Sequence, residues 1–137
     1  MRVMSVAITM KSAALVAAVR AESIPRNMRC ALLVENEAKR LLSIGGGKPH
    51  RPSAPGVPPH LEHGDLRNSI SSAATPIGTA VVGPVVEYGA YQEFGTRDGK
   101  LKKRPFMRPA LMSVKHLFPK QYGNLKLKRL MPAAPHD

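Results

Sequence analysis

The chain has 137 residues, the size of one domain, and only 43% of them are apolar, with no Trp, three Tyr and three Phe; it can bury a modest core but not a large aromatic-lined ligand cavity. Lys and Arg outnumber Asp and Glu by 21 to 9, a net charge of +12, and residues 97–130 hold eleven basic side chains against one acidic. A field this one-sided favours an acidic partner (nucleic acid, an anionic membrane or an acidic protein surface) over a merely solubilising face.

Residues 7–20 have the apolar spacing of a helix, with Ile8, Leu15, Val16 and Val19 on its apolar side. The run Ala13–Val19 is too short to span a membrane. Arg2 and Lys11 ahead of it give a faint likeness to a secretory leader, against which the polar interruptions and the continuing helical spacing both argue. Ser23 then offers an N-cap, with Pro25 in the first turn where proline is tolerated. From there Ile24, Met28, Leu32, Ala38, Leu41 and Leu42 recur at helical spacing until Gly45-Gly46-Gly47 stops the helix. The two segments form either one bent helix or a helix pair.

Residues 45–61 contain five prolines and four glycines, a composition that reads as a long loop or arm. Next, Asp65 is placed to cap a short turn, with Leu66 and Ile70 pointing the same way. Residues 67–73 and 79–86 are expected to pair as a β-hairpin through the turn Thr75-Pro76-Ile77-Gly78, with Pro84 marking an edge or a bulge. Tyr88, Tyr91 and Phe94 recur every three residues, as on one face of a short helix closed by Gly95. A basic loop, 97–104, and an extended Pro105-Phe106-Met107 lead to a last helix opened by Arg108-Pro109. Its candidate core positions are Leu111, Met112 and Leu117, and Pro119 or Gly123 ends it. The predicted fold is a single α+β domain over 1–137, with a long N-terminal helix, a small antiparallel hairpin sheet, a short aromatic helix and a C-terminal helix. The arm 45–61 and the basic, Pro-rich tail 120–137 are expected to be ordered mainly by neighbouring subunits.

No catalytic constellation stands out, and neither a metal nor a cofactor is expected. The GGGK at 45–48 lacks the spacing of a phosphate loop, has no apolar strand before it and runs into Pro49. His60 and His63 lack the further ligands that a zinc site needs. Glu87 and Glu93 are six residues apart, a step that separates two carboxylates on a short helix. Cys30 is the lone cysteine, which excludes an intramolecular disulfide and suits a reducing cytoplasm; within an apolar helix it reads as a buried thiol. Phe106, Phe118 and Tyr122 lie among basic residues, where aromatics can stack on bases, but they read first as core of the last helix. Charge alone therefore supports only sequence-independent nucleic-acid binding.

Two stretches carry a resemblance. Tyr88-Gly89-Ala90-Tyr91-Gln92-Glu93-Phe94-Gly95-Thr96, followed by Arg104-Pro105-Phe106-Met107-Arg108-Pro109-Ala110-Leu111, resembles the signature of the small neck and tail-completion proteins of long-tailed phages, the group related to the minor tail protein Z of phage lambda. Upstream, Gly64-Asp65-Leu66-Arg67-Asn68-Ser69-Ile70 is similar to that family's Gly-x-Leu-Arg-x-Ser-Ile. The likeness covers about residues 25–118, and one departure is Gly89 where the family often has Ala.

The resemblance implies a structural, non-enzymatic α+β protomer assembled in the host cytoplasm into a ring, with six copies expected, at the virion's neck. Such a ring would contact head-closure, tail-terminator or tail-tube proteins, enclose the channel through which genomic DNA passes, and involve no membrane. In that setting Tyr88, Tyr91 and Phe94 are expected to pack the short helix on the sheet. Glu93 is expected to pair with Arg104 or Arg108, Gly95 to make a left-handed turn, and Pro109 to fix the start of the last helix. Lys100, Lys102, Lys103 and Arg104 are expected to face partner proteins. The alternative function is a basic DNA-binding accessory protein.

Overall fold

In a computed structural model the described residues are 2–44, 52–61 and 64–123, with side chains from residue 13 onward. The order of elements is α1 (Arg2–Leu41), α2 (Asp65–Ser69), β1 (Ile70–Ala74), β2 (Ala80–Pro84), α3 (Tyr88–Phe94) and α4 (Met107–Val114). A 3₁₀ turn (Lys115–Leu117) and α5 (Phe118–Tyr122) follow. The architecture is thus mixed helix and sheet: a long helix, a two-stranded antiparallel sheet laid on it, and C-terminal helices packed alongside.

The N-terminal region is one continuous helix, and Pro25 lies inside it. Proline has no N–H to donate to the carbonyl four residues back. On either side of that break side chains bond backwards within the helix: the Ser23 hydroxyl donates to the Val19 carbonyl (2.7 Å), and the Arg26 guanidinium to the Glu22 carbonyl (2.5 Å) and carboxylate (2.8 Å). Ser23 is therefore a mid-helix residue bonding backwards, not the N-cap expected from the sequence. The helix ends at Leu41 and its last turn continues through residue 44. The three glycines expected to stop it lie outside the described residues.

The face that α1 buries is Arg26, Cys30, Ala31, Val34, Ala38 and Leu42, while Leu32, expected in the core, is exposed. The reason is phase: the buried positions recur every four residues from Arg26 to Leu42, and Leu32, two residues from both Cys30 and Val34, stands about half a turn away from them. Val34, Ala38 and Leu42 form one cluster with Ile70, Phe106, Ala110 and Val114. Polar side chains pin the layers. Asn27 Nδ2 donates to the Gly78 carbonyl at the hairpin turn (2.6 Å), and Ser72 Oγ on β1 donates to Glu35 Oε2 on α1 (2.7 Å).

Glu35 also accepts from Lys39, and these two hydrogen bonds hold its carboxyl below the usual glutamate range, Lys39 having the larger effect. A carboxyl lowered in the folded state adds stability above its unfolded value and loses it as pH falls through the folded one. The urea midpoint should therefore drop as pH falls below about 4.3, and Glu35→Gln should drop less than wild type. Identical acid sensitivity in the two proteins would remove Glu35 from the explanation.

The hairpin is shorter than expected. Arg67, Asn68 and Ser69 belong to α2, and pairing runs from Ile70↔Pro84 to Ala74↔Ala80. Gly64, at φ 81°, precedes α2, and its carbonyl accepts from the Asn68 N–H; helical hydrogen bonding thus captures the residues that the β pattern had claimed. The turn forms as read: Gly78 N–H donates to the Thr75 carbonyl (3.1 Å), and Gly78 takes φ 88°, the turn-plus-left-handed-residue form of a three-residue hairpin loop.

The last helix begins at Met107, two residues before Pro109, which fits its first turn, and the helical run ends at Gly123. Its core residues are Phe106, Ala110 and Val114. Leu111 and Met112 are exposed instead, and Leu117 and Phe118 pack on the core's border. Residues 52–61 carry bonds within the chain. Gly56 N–H donates to the Lys103 carbonyl (2.9 Å), and Ser53, almost fully buried, accepts through its carbonyl from Arg104 Nε (2.9 Å). The tail beyond residue 123 and the arm's residues 45–51 lie outside the described residues.

Candidate functional site

The two motif stretches meet where α2, the end of β2, α3 and the start of α4 converge. Glu93 joins them. Its side chain is buried, and its carboxylate accepts the backbone N–H groups of Phe106 (2.8 Å), Met107 (2.9 Å) and Arg108 (3.1 Å). These are orphan donors at the N-terminus of α4, where a negative charge also meets the positive end of the helix dipole. The expected ion pair to Arg104 or Arg108 is replaced by this cap. Phe106, the N-cap residue, makes no side-chain cap bond of its own, so the carboxylate of a different helix performs that role.

Arg104 is likewise a brace. Its backbone N–H donates to the Gln92 carbonyl (2.6 Å), its Nε to Ser53 and its Nη1 to the Lys102 carbonyl (3.4 Å). Between these braces, Thr96 and Asp98 tie the loop into a knuckle. The Thr96 hydroxyl donates to Asp98 Oδ1 (2.6 Å), the Lys100 N–H donates to the same oxygen (3.0 Å), and the Leu101 N–H donates to Thr96 Oγ1 (3.1 Å). The Thr96 bond first, then that from Lys100, holds the Asp98 carboxyl below its usual range. Gly95, at φ 74°, is required where α3 turns into this knuckle, since a Cβ there would sit 2.8 Å from the Leu101 carbonyl oxygen. Lys100, Lys102 and Lys103 project from the knuckle into solvent.

Gly89 marks the closest approach of α3 to the hairpin. A Cβ at this position would lie 2.6 Å from Pro84 Cγ and 3.3 Å from Leu66 Cδ1. Glycine at this position is therefore a packing requirement of this chain. Gly89→Ala should destabilise by about 1–2 kcal/mol, because the clash, worth roughly 1–3 kcal/mol, exceeds the gain of about 0.8 kcal/mol in helix propensity. Chemical denaturation checks this, and a stabilised variant would mean that Pro84 yields freely.

With Gly89 and Glu93 facing inward, the aromatic residues face out. Tyr88, Tyr91 and Phe94 are 44%, 55% and 79% exposed, so they do not pack α3 on the sheet as expected. Burial first, and then the charge of Asp65, raises the Tyr88 hydroxyl above its usual range. Beside Phe94 opens an apolar groove of about 620 Å³ between β2, α3 and α4. Val34 and Phe106 line it together with Val82, Val85 and Leu111. A smaller depression of about 310 Å³ lies on the other side, bordered by Leu42, His60, Leu66, Arg67 and Tyr88. The Arg67 guanidinium reaches Ser43 Oγ (3.3 Å), and the Ser69 hydroxyl donates to the Leu66 carbonyl (2.8 Å), so both motif residues serve local geometry.

Val85 and Leu111 were missed as surface features. The first follows a proline at the end of a strand, and the second was read as core by helical spacing. Among the described residues no group of three His, Cys, Asp or Glu could hold a metal ion, and no helix is long and apolar enough to cross a membrane. Cys30 is buried, and that burial raises its thiol above the ordinary range. What the arrangement offers chemically is a stiff frame carrying an apolar face and a basic knuckle. No family model, curated protein or solved structure matches this chain.

Proposed function

We propose that this chain is a structural virion protein of the neck or tail joint of a long-tailed bacteriophage, a ring-forming subunit that completes the tail end and connects it to the head. The observation that carries this reading is the outward aromatic face of α3, held on a frame whose inward residues are Gly89 and Glu93. Exposed contiguous apolar surface on a small protein is characteristic of protein–protein contact, and the likeness of these same residues to the neck-protein signature gives the contact a setting. In that setting the copies form a ring, six being the expected number. Head-closure, tail-terminator or tail-tube proteins contact its faces, DNA passes through its channel, and assembly takes place in the host cytoplasm before the ring enters the virion.

Lys100, Lys102 and Lys103 then serve docking to acidic neighbouring rings, where rim charges speed encounter and set orientation. A conduit that gripped each phosphate would hinder the passage of DNA. The triple variant Lys100→Glu, Lys102→Glu, Lys103→Glu leaves Arg104 and its braces intact. It should sharply reduce head–tail joining while the few particles that do join still eject DNA. Normal joining with failed ejection would place these lysines against the genome.

The second reading, a sequence-independent DNA-binding accessory protein, is favoured by the exposed lysines alone. Sedimentation of the purified chain without DNA separates the two. A discrete multi-subunit species supports the ring, whereas a monomer that binds duplex DNA with steep salt dependence supports the accessory role.

A further inference from the structure

The helix α1 runs past the body of the protein. Residues 13–17, Ala-Ala-Leu-Val-Ala, are all exposed, and this includes the large side chains Leu15 and Val16. An apolar helical segment left exposed in this way gains little from helix propensity alone. The groove beside Phe94 is likewise uncovered: Val85 is 76% exposed, and Leu111 stands on its border.

The arm cannot fill the groove of its own chain. Val34 lies on the groove wall and on the same continuous helix, so Val16 is held about 27 Å away along the helix axis. Charge favours a second copy as the occupant. The first 21 residues carry Arg2, Lys11 and Arg20 and no acidic residue. The exposed charged residues bordering the groove are Glu87 and Arg108, which balance, the buried Glu93 carboxylate being taken up by the start of α4. The groove is thus a neutral, apolar place on a molecule of +12, where a basic-flanked apolar arm meets none of the repulsion it would meet elsewhere. Two copies with this net charge repel elsewhere.

We infer that the segment 13–19 of α1 of one copy docks in the groove between β2, α3 and α4 of the next, and that this arm-in-groove contact is the heterologous interface that closes the ring. The contact rests on the ring reading above and specifies its geometry. Each copy gives an arm and receives one, and head-to-tail contacts of this kind generate rings when the rotation closes.

The test uses two full-length variants. An arm variant, Leu15→Asp with Val16→Asp, and a groove variant, Val85→Asp with Phe94→Asp, alter exposed positions only, so circular dichroism and melting temperature should match wild type. Alone, each should self-associate roughly tenfold or more weakly than wild type in sedimentation. Mixed, they should form a one-to-one heterodimer, because the arm variant keeps its groove and the groove variant keeps its arm. As a second measurement, Val16→Cys mixed with Phe94→Cys should form an intermolecular disulfide, and neither alone should.

Loss of self-association in both variants with no heterodimer on mixing overturns the head-to-tail contact. A wild-type ring that both variants still form overturns the inference and leaves the ring reading standing. A wild-type protein that is monomeric throughout overturns both.

Discussion

Phe106→Ala should cost about 4 kcal/mol of folding stability, within the roughly 3–5 kcal/mol typical of buried phenylalanines. Phe106 has no exposed surface and is the largest side chain in the central cluster, which it shares with Val34, Ala38, Ile70 and Ala110. It precedes α4, so one ring fixes where that helix meets α1 and β1. The groove lies directly against it, and truncation would deepen the groove as well as weaken the core. Such a loss is a large part of the total stability of a small domain. Guanidinium denaturation should show it as a lower midpoint with an unchanged slope. A loss under about 1 kcal/mol would show that the neighbours collapse into the space and that the ring is not the keystone of the cluster.

Glu93→Ala should cost about 3 kcal/mol. The substitution leaves three N–H groups at the start of α4 without their acceptor, and leaving one buried donor unpaired costs roughly 1–3 kcal/mol. Water entering from the groove recovers part of this, which keeps the sum well below three full penalties. Glu93→Gln retains one acceptor oxygen and should lose about half as much. Amide exchange at Phe106, Met107 and Arg108 supplies the local readout, with protection falling at these three in Glu93→Ala while the β1–β2 amides stay protected. If their exchange is unchanged, the carboxylate does not hold the helix start. The same lesion would loosen α3 against α4 and so blur the groove, linking a buried hydrogen-bond cap to the surface on which the assembly proposal rests.

How far the sequence could be read is clear from particular residues. The turn at Thr75–Gly78, the aromatic helix closed by Gly95 and a helix around Pro109 were legible, because each depends on local backbone chemistry: positive φ at Gly78 and Gly95, and a ring compatible with a first helical turn at Pro109. The single α1 was not. Ser23 followed by Pro25 reads as a helix start, yet the helix runs through the proline, with the Ser23 and Arg26 side chains bonding the Val19 and Glu22 carbonyls inside it and Asn27 fastened to the hairpin turn. The three-residue spacing of Tyr88, Tyr91 and Phe94 gave one helix face correctly, but spacing cannot say whether that face turns in or out. Gly89 decided it, because only a residue without a side chain fits against Pro84.

The sequence by itself thus determined the α+β class, the hairpin turn, the short aromatic helix and the concentration of charge in 97–130, all of which follow from periodicity, turn chemistry and composition. Tertiary structure alone decided that Glu93 caps α4 rather than pairing with an arginine, that Arg104 braces Ser53 while the side chains of Lys102 and Lys103 stand exposed, and that a groove opens beside Phe94. The physical reason is separation along the chain. Glu93 meets its N–H partners 13 to 15 residues away, and Arg104 meets Ser53 at 51. Which donor finds which acceptor over such distances is set by how α1, the hairpin and α4 pack, and no local pattern encodes that.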